Sequence, residues 1–186
     1  MGAESKGGSS DKGSRRDQPT VRGEVFRYTP EKWDAVKDDI TDLARQAQSS
    51  GVFRTDDIHE WVDKSFTNPH TIDNTKVLLR EGNKVIGFAL TQHSYGWSKE
   101  ANDTVPSDTK AEITATIIDK DHRGNGYVGA LMEPLDEDLR NKGFKSVVIR
   151  ALSHQGYDRA IERHYGEKIV YSSMVTPDFR HIQYNL

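Results

Sequence analysis

The residues best suited to chemistry lie between Ala111 and Met132. There an apolar, β-branched run ending at Ile118 passes through Asp119-Lys120-Asp121 into His122-Arg123-Gly124-Asn125-Gly126-Tyr127-Val128-Gly129, and then into a second apolar, periodic run. A strand leading through a turn to a helix start leaves backbone N–H groups without intrahelical acceptors, and such groups favour an anion. Gly124 and Gly126 lack the Cβ that would keep the main chain away from phosphate oxygens, and His122-Arg123 makes the turn basic. The chemistry this predicts is the binding of a phosphate-bearing ligand by main-chain amides; the bland alternative is a glycine turn that only connects two elements. A P-loop would end in Gly-Lys-Ser/Thr, where this chain continues as Tyr127-Val128-Gly129. The string Gly124-x-Gly126-x-x-Gly129 does match a dinucleotide fingerprint. That fingerprint belongs near the start of a βαβ series, with an acid on the next strand. Here most of the chain precedes the loop and the run Ser146 to Leu152 carries no acid, so a nicotinamide-dependent dehydrogenase ranks below other readings.

Other chemistries are excluded by what the sequence lacks. With no cysteine there is no disulfide, thiolate nucleophile or cysteine-bound zinc. His59, His70, His93, His122, His154, His164 and His181 are scattered without metal-binding spacing, so no metal is expected. The 26 basic residues against 29 acidic ones give a net charge of −3, which predicts no nucleic-acid partner. Asp136-Glu137-Asp138, following Pro134, reads as a solvated helix face. Between Pro30 and Lys64 acids outnumber bases, which suits either attraction of a cationic amine or a plain soluble surface.

These residues must be held by a fold that 186 residues can build as one domain. Residues 1–22 are rich in Gly and Ser, have no large aliphatic residue before Val21, and predict a disordered tail ahead of a domain spanning 23–186. No apolar run is long enough to cross a membrane and no secretory signal is present, which predicts a cytoplasmic protein. Glu24 to Tyr28 reads as a strand. Thr29-Pro30 is an N-cap followed by proline at the first helical position, and Trp33, Val36, Ile40, Leu43, Ala44 and Ala47 recur at helical spacing. A second helix from Thr55 carries Ile58, Trp61, Val62 and Phe66 and ends at Asn68-Pro69. Lys76 to Arg80 and Val85 to Leu90 flank a Gly-Asn turn as a hairpin. Gly96 to Lys110 reads as a long polar loop, functional or mobile. Then follow a strand at Ala111 to Ile118, a helix from Tyr127 to Lys142, a strand at Ser146 to Leu152, a helix from Gly156 to His164, and strands at Lys168 to Val175 and Arg180 to Tyr184. That order predicts an α/β domain.

Motif and element order together make the chain resemble the GNAT superfamily of acetyl-CoA-dependent N-acetyltransferases, whose signature Arg/Gln-x-x-Gly-x-Gly/Ala follows the fourth strand. Arg123 and Gly126 fit it; Val128 departs from it at the sixth position. The resemblance implies a mixed, mainly antiparallel sheet flanked by helices. It also implies acetyl-CoA as cosubstrate, its pyrophosphate held by backbone amides of Gly124, Asn125, Gly126, Tyr127, Val128 and Gly129 beside Arg123, and its pantetheine arm paired to strand backbone near Ile117 and Ile118. The acceptor is then an amine, on a small molecule or a protein. Glu112 occupies the position where some relatives keep a general base, the alternative being a solvated strand-end residue. The family's acid is a tyrosine in Asn-x-x-Ala-x-x-x-Tyr. Counting from Ala160 puts His164 in its place, and a register one residue later puts Tyr165 there; Tyr165 is preferred because a phenol suits thiolate protonation, with aromatic packing at a helix end as the alternative. A second function class, a non-catalytic acyl-CoA-binding or regulatory module, is kept open by Val128 and by that ambiguous register.

Overall fold

The computed structural model describes residues 20–51, 55–71, 73–152, 156–177 and 179–186. In chain order the elements are β1 (Val21–Val25), α1 (Pro30–Asp34), α2 (Lys37–Ser49), α3 (Ile58–Thr67), β2 (Lys76–Glu81), β3 (Lys84–Ser98), β4 (Asp103–Ile118), α4 (Val128–Asn141), β5 (Ser146–Leu152), α5 (Tyr157–Tyr165), β6 (Ile169–Thr176) and β7 (Phe179–Asn185). The strands form one sheet in the order β1-β2-β3-β4-β5-β7-β6. Every neighbouring pair is antiparallel except β4 with β5.

Strands β2 and β3 are apolar on both faces because helices cover both. Val77, Leu79, Ile86 and Ala89 pack with Leu131, Met132, Leu135 and Leu139 of α4 and Ile161 of α5. Leu78, Val85, Phe88 and Leu90 point the other way, into a second core with Trp33, Val36, Ile40, Leu43, Val62 and Phe66 of α1–α3. Phe66 anchors that core, stacked on Trp33 at 5.3 Å and edge-on to Phe88 at 5.8 Å between ring centroids. No residue of β5, β6 or β7 belongs to this second core, so α1–α3 cover only part of the sheet.

Thr29 caps α1 as the sequence predicts, its hydroxyl accepting from the Lys32 amide at 3.3 Å. Several expectations need correction. The first helix breaks at Val36, whose φ of −128° and ψ of −14° separate α1 from α2, yet Trp33, Val36 and Ile40 all stay buried. The first strand runs Val21–Val25 rather than Glu24 to Tyr28, with Val21 opposite Glu81 and Arg22 opposite Arg80. Of the expected tail, residues 1–19 lie outside the described residues, as does His154. Gly96 to Lys110 is no loop: β3 and β4 continue as a ribbon in which Tyr95 pairs with Pro106 and Ser98 with Asp103.

Of the acids Asp136-Glu137-Asp138 read as a solvated face of α4, Glu137 is exposed, but Asp136 and Asp138 are buried. Asp138, 6% exposed, accepts from Thr75 Oγ1 at 2.6 Å, from Lys142 Nζ at 3.0 Å and from Arg27. Burial would raise its carboxyl, but these donors outweigh it and hold the pKa at about 2. The same helix contains Pro134, which has no N–H to give the Ala130 carbonyl four residues earlier. Strand β1 comes against that carbonyl at Gly23, where a Cβ would lie 1.9 Å from the Ala130 oxygen. Only glycine fits there.

Candidate active site

The site begins with a fault in the sheet. β4 and β5 pair only from Lys110↔Ser146 to Ile113↔Ile149. Beyond that, β4 stays with β3 as far as Ile118↔Gly87, while β5 stays with β7 to Leu152↔Phe179. The register of β3 against β4 also shifts, Thr91 facing Ile113 and Leu90 facing Ala115, so Thr114 is an extra residue on β4. The bulge exchanges the faces of the strand. Ile113 belongs to the core under α4 and α5, and Ala115 and Ile117 to the core under α1–α3. Thr116 and Ile118 turn toward α5, where the Tyr157 hydroxyl donates to Thr116 Oγ1 at 2.8 Å. Burial pushes the Tyr157 phenol up, so it remains a neutral donor.

The separated edges open onto a cavity of about 580 Å³ between β4, the start of α4 and one side of α5. Gly124 and Gly126 take φ of 82° and 79°, the left-handed region in which a Cβ is strained. Tyr127 precedes α4 without offering a side-chain cap to its first amides, so those N–H groups retain their preference for an anion. The Arg123 Nε donates to the Ile118 carbonyl at 2.9 Å, fixing the end of β4 to the turn. Asn125 donates from Nδ2 to the His122 carbonyl at 3.1 Å and keeps the turn closed.

Of the residues singled out from the sequence, Ile117, Ile118, Arg123, Gly124, Gly126, Tyr127, Val128, Gly129 and His164 line this cavity, whereas Asn125, Glu112 and Tyr165 do not. Tyr165, preferred over His164 from the sequence, lies outside the cavity lining, and His164 lies within it. Tyr165 is 5% exposed; its ring stacks on Tyr184 at 3.6 Å, and its hydroxyl lies 3.1 Å from Asp136 Oδ1 and 2.9 Å from the Tyr184 hydroxyl. Its hydroxyl is engaged in the core beneath the cavity. His164 is one residue earlier, about 100° further round α5; its ring stands edge-on to that of Tyr165 at 4.7 Å between centroids and lines the cavity. A Cβ at Gly129 would stand 3.4 Å from the imidazole, in ordinary van der Waals contact with it at the first turn of α4.

Glu112 lies just before the strands part, on the face opposite Ile113. It accepts from Arg150 at 2.7 Å and faces Gln92 and Val148 across the ladders. Sequence reasoning missed Tyr157, which takes the asparagine place of the motif counted from Ala160. It also missed the partners of His122: Asp119 Oδ1 at 3.1 Å from Nδ1, and Glu81 Oε2 at 3.3 Å from Nε2.

A mixed sheet that splits beside a glycine turn at a helix start, with the His164 ring across the gap, is the arrangement that positions the cavity. The sequence profile of the acetyltransferase (GNAT) family matches residues 33–166, and the chain belongs to that family. Among solved structures it is similar to an aminoglycoside 6'-acetyltransferase type Ii, at 20% identity and a TM-score of 0.61, with 88% of this chain and 95% of that one covered. It is also similar to the PaiA N-acetyltransferase of Thermoplasma acidophilum in complex with coenzyme A, at 10% identity and a TM-score of 0.57, covering 88% and 99%. A third is the YncA putative acetyltransferase of Salmonella typhimurium with acetyl-CoA, at 15% identity and a TM-score of 0.58, covering 88% and 92%. These likenesses concern the fold. No curated protein matches the chain. Among the described residues no helix is long and apolar enough to cross a membrane.

Proposed function

We propose that the protein is an N-acetyltransferase that moves an acetyl group from acetyl-CoA to a primary amine, on a small molecule or a protein, by direct attack. The observation that carries this reading is the parting of β4 and β5 beside the glycine turn, since it places unpaired strand edges next to free helix-start amides. Acetyl-CoA supplies the activated acyl group as a thioester. Gly124 to Gly129 hold its pyrophosphate through main-chain amides, with Arg123 at the turn, and the free edge near Ile117 and Ile118 receives its amide-bearing arm. Glu112 and Arg150 lie on the other face of the sheet, where α1–α3 do not extend over β5. An acceptor entering there meets Glu112 beside Arg150, and Glu112 takes the ammonium proton through water. His164 faces the cavity and delivers a proton to the departing sulfur. The acyl carbon gains a bond to nitrogen and loses its bond to sulfur; the nitrogen gives up two protons, one to Glu112 through water before attack and one to solvent as the tetrahedral adduct collapses, and the thiolate gains the one that His164 delivers.

Incubation with acetyl-CoA and a panel of amines, peptides and aminoglycosides, reading the release of free thiol, tests the proposal. Acceptor-dependent thiol release is the expected result. Tight CoA binding with no release from any acceptor would favour a non-catalytic acyl-CoA-binding module, a reading that Val128 supports because it places a branched side chain in the cavity wall where the family signature has Gly or Ala.

A further inference from the structure

The turn that joins β4 to the glycine loop carries a charge cluster that acetyl transfer does not use. Both ring nitrogens of His122 face carboxylate oxygens, Asp119 at 3.1 Å and Glu81 at 3.3 Å. A neutral imidazole has one N–H and one lone pair, so it can donate to only one of the two. The ring satisfies both only as the imidazolium. Asp119 is fixed as an acceptor, taking the Gln46 Nε2 at 3.1 Å and the Asp121 amide at 2.9 Å. The other charged groups nearby are Lys120, Asp121 and Arg123 on the same turn, Arg80 beside Glu81, and Arg163 and His164 across the cavity on α5. Arg80 is already engaged by Glu24. His122 also lines the cavity, next to Arg123 and Gly124.

We infer that His122 is a positioning residue that works as a proton-dependent latch: as the imidazolium it ties the phosphate turn to the end of β2, and on losing its proton it frees Glu81 and weakens CoA binding. The inference rests on the CoA-binding reading above. The Asp119 bond first, and the Glu81 bond after it, raise the pKa of His122. Deprotonation changes the trio from one net negative charge to two beside an anion site. By reciprocity, CoA must then draw a proton onto the ring when it binds.

Calorimetric titration with CoA between about pH 7 and pH 8.5, above the range in which a phosphate titrates, reads this directly when repeated in two buffers of different ionisation enthalpy. Wild-type affinity should fall on the order of fivefold across that window, the size of a unit charge change acting through partly screened solvent, and binding should take up protons. His122→Gln should bind with the weaker, high-pH affinity throughout and take up none. Glu81→Gln should move the midpoint to lower pH. A wild-type affinity independent of pH, or a His122→Gln protein with the wild-type slope, overturns the latch while CoA binding stands. Absence of CoA binding by wild type at every pH overturns both readings. If His122→Gln fails to fold, imidazole ¹⁵N shifts of wild-type His122 decide: its midpoint should rise on adding CoA, and an unmoved midpoint refutes the inference.

Discussion

Replacing Tyr165 by phenylalanine separates a role in chemistry from a role in packing. Phenylalanine keeps the ring stacked on Tyr184 and removes only the hydroxyl, which lies 3.1 Å from the Asp136 carboxylate and 2.9 Å from the Tyr184 oxygen. Asp136 is 3% exposed and retains the Tyr184 hydroxyl at 2.8 Å. The change therefore takes one of two hydroxyl donors from a buried carboxylate, at a cost of about 1.5 to 3 kcal/mol. For a chain of this length that lowers Tm by roughly 3 to 12 °C. Burial raises the pKa of Asp136, and the Tyr184 and Tyr165 hydroxyls partly oppose the rise. A carboxyl whose native pKa is raised costs stability as pH climbs from its unfolded value through its native one. Removing a donor enlarges that cost. The penalty of Tyr165→Phe should accordingly be full at neutral pH and shrink once acid protonates Asp136. Turnover by the surviving folded protein should change by less than about threefold, whereas His164→Ala should lower it by roughly 10²-fold with little change in CoA affinity. Thermal melts at neutral and acidic pH, with initial rates on an identified acceptor, supply the comparison. A turnover loss of that size in Tyr165→Phe with an unmoved Tm would refute the assignment.

Gly126→Glu puts a side chain and a like charge where phosphate is proposed to sit and strains a φ of 79°; CoA binding measured by calorimetry should weaken by about 2 kcal/mol or more while the fold persists. Gly23→Ala must displace β1 from the Ala130 carbonyl, since its Cβ would lie 1.9 Å away; urea unfolding should show a loss of about 1 to 3 kcal/mol. Asp138, at about 2 against a model-compound value of 3.8, is depressed on folding, so it stabilises above the unfolded value. About 2 kcal/mol should be lost as pH falls from roughly 4 to 2, and Asp138→Asn should flatten that part of an acid unfolding curve.

The sequence made legible whatever depends on near neighbours. Continuous apolar runs at Val77 to Leu79 and Val85 to Leu90 on either side of a Gly-Asn turn marked the hairpin, and the passage from Ile118 through Gly124 and Gly126 marked the anion turn. It failed where a partner lies far along the chain. Asp136 and Asp138 read as solvated because acids rarely bury alone; their donors Tyr165, Tyr184, Arg27 and Thr75 come from other elements. On α5, Asp158, Ile161 and Tyr165 repeat at the same helical spacing as Tyr157, Ala160 and His164, so periodicity alone left both registers open. Asp158, Ile161 and Tyr165 are the buried set, with Asp158 facing Arg180 of β7 at 3.7 Å. The β3–β4 ribbon escaped notice because residues such as Thr104, Ser107 and Thr109 carry no apolar stripe, and backbone pairing alone extends it.

The short parallel ladder from Lys110↔Ser146 to Ile113↔Ile149 also has a mechanical meaning. It is the only main-chain seam between a four-strand leaf, β1 to β4, and a three-strand leaf, β5 to β7, among the described residues. A seam at one end of two leaves is a hinge, and torsion about it changes the width of the opening at the other end. The strut across that opening is a side-chain contact, the Tyr157 hydroxyl on Thr116 at 2.8 Å. That contact ties the β4 edge to α5 across the cleft, while the core under α4 and α5 packs against both leaves and Arg150 of β5 pairs with Glu112 of β4 at 2.7 Å.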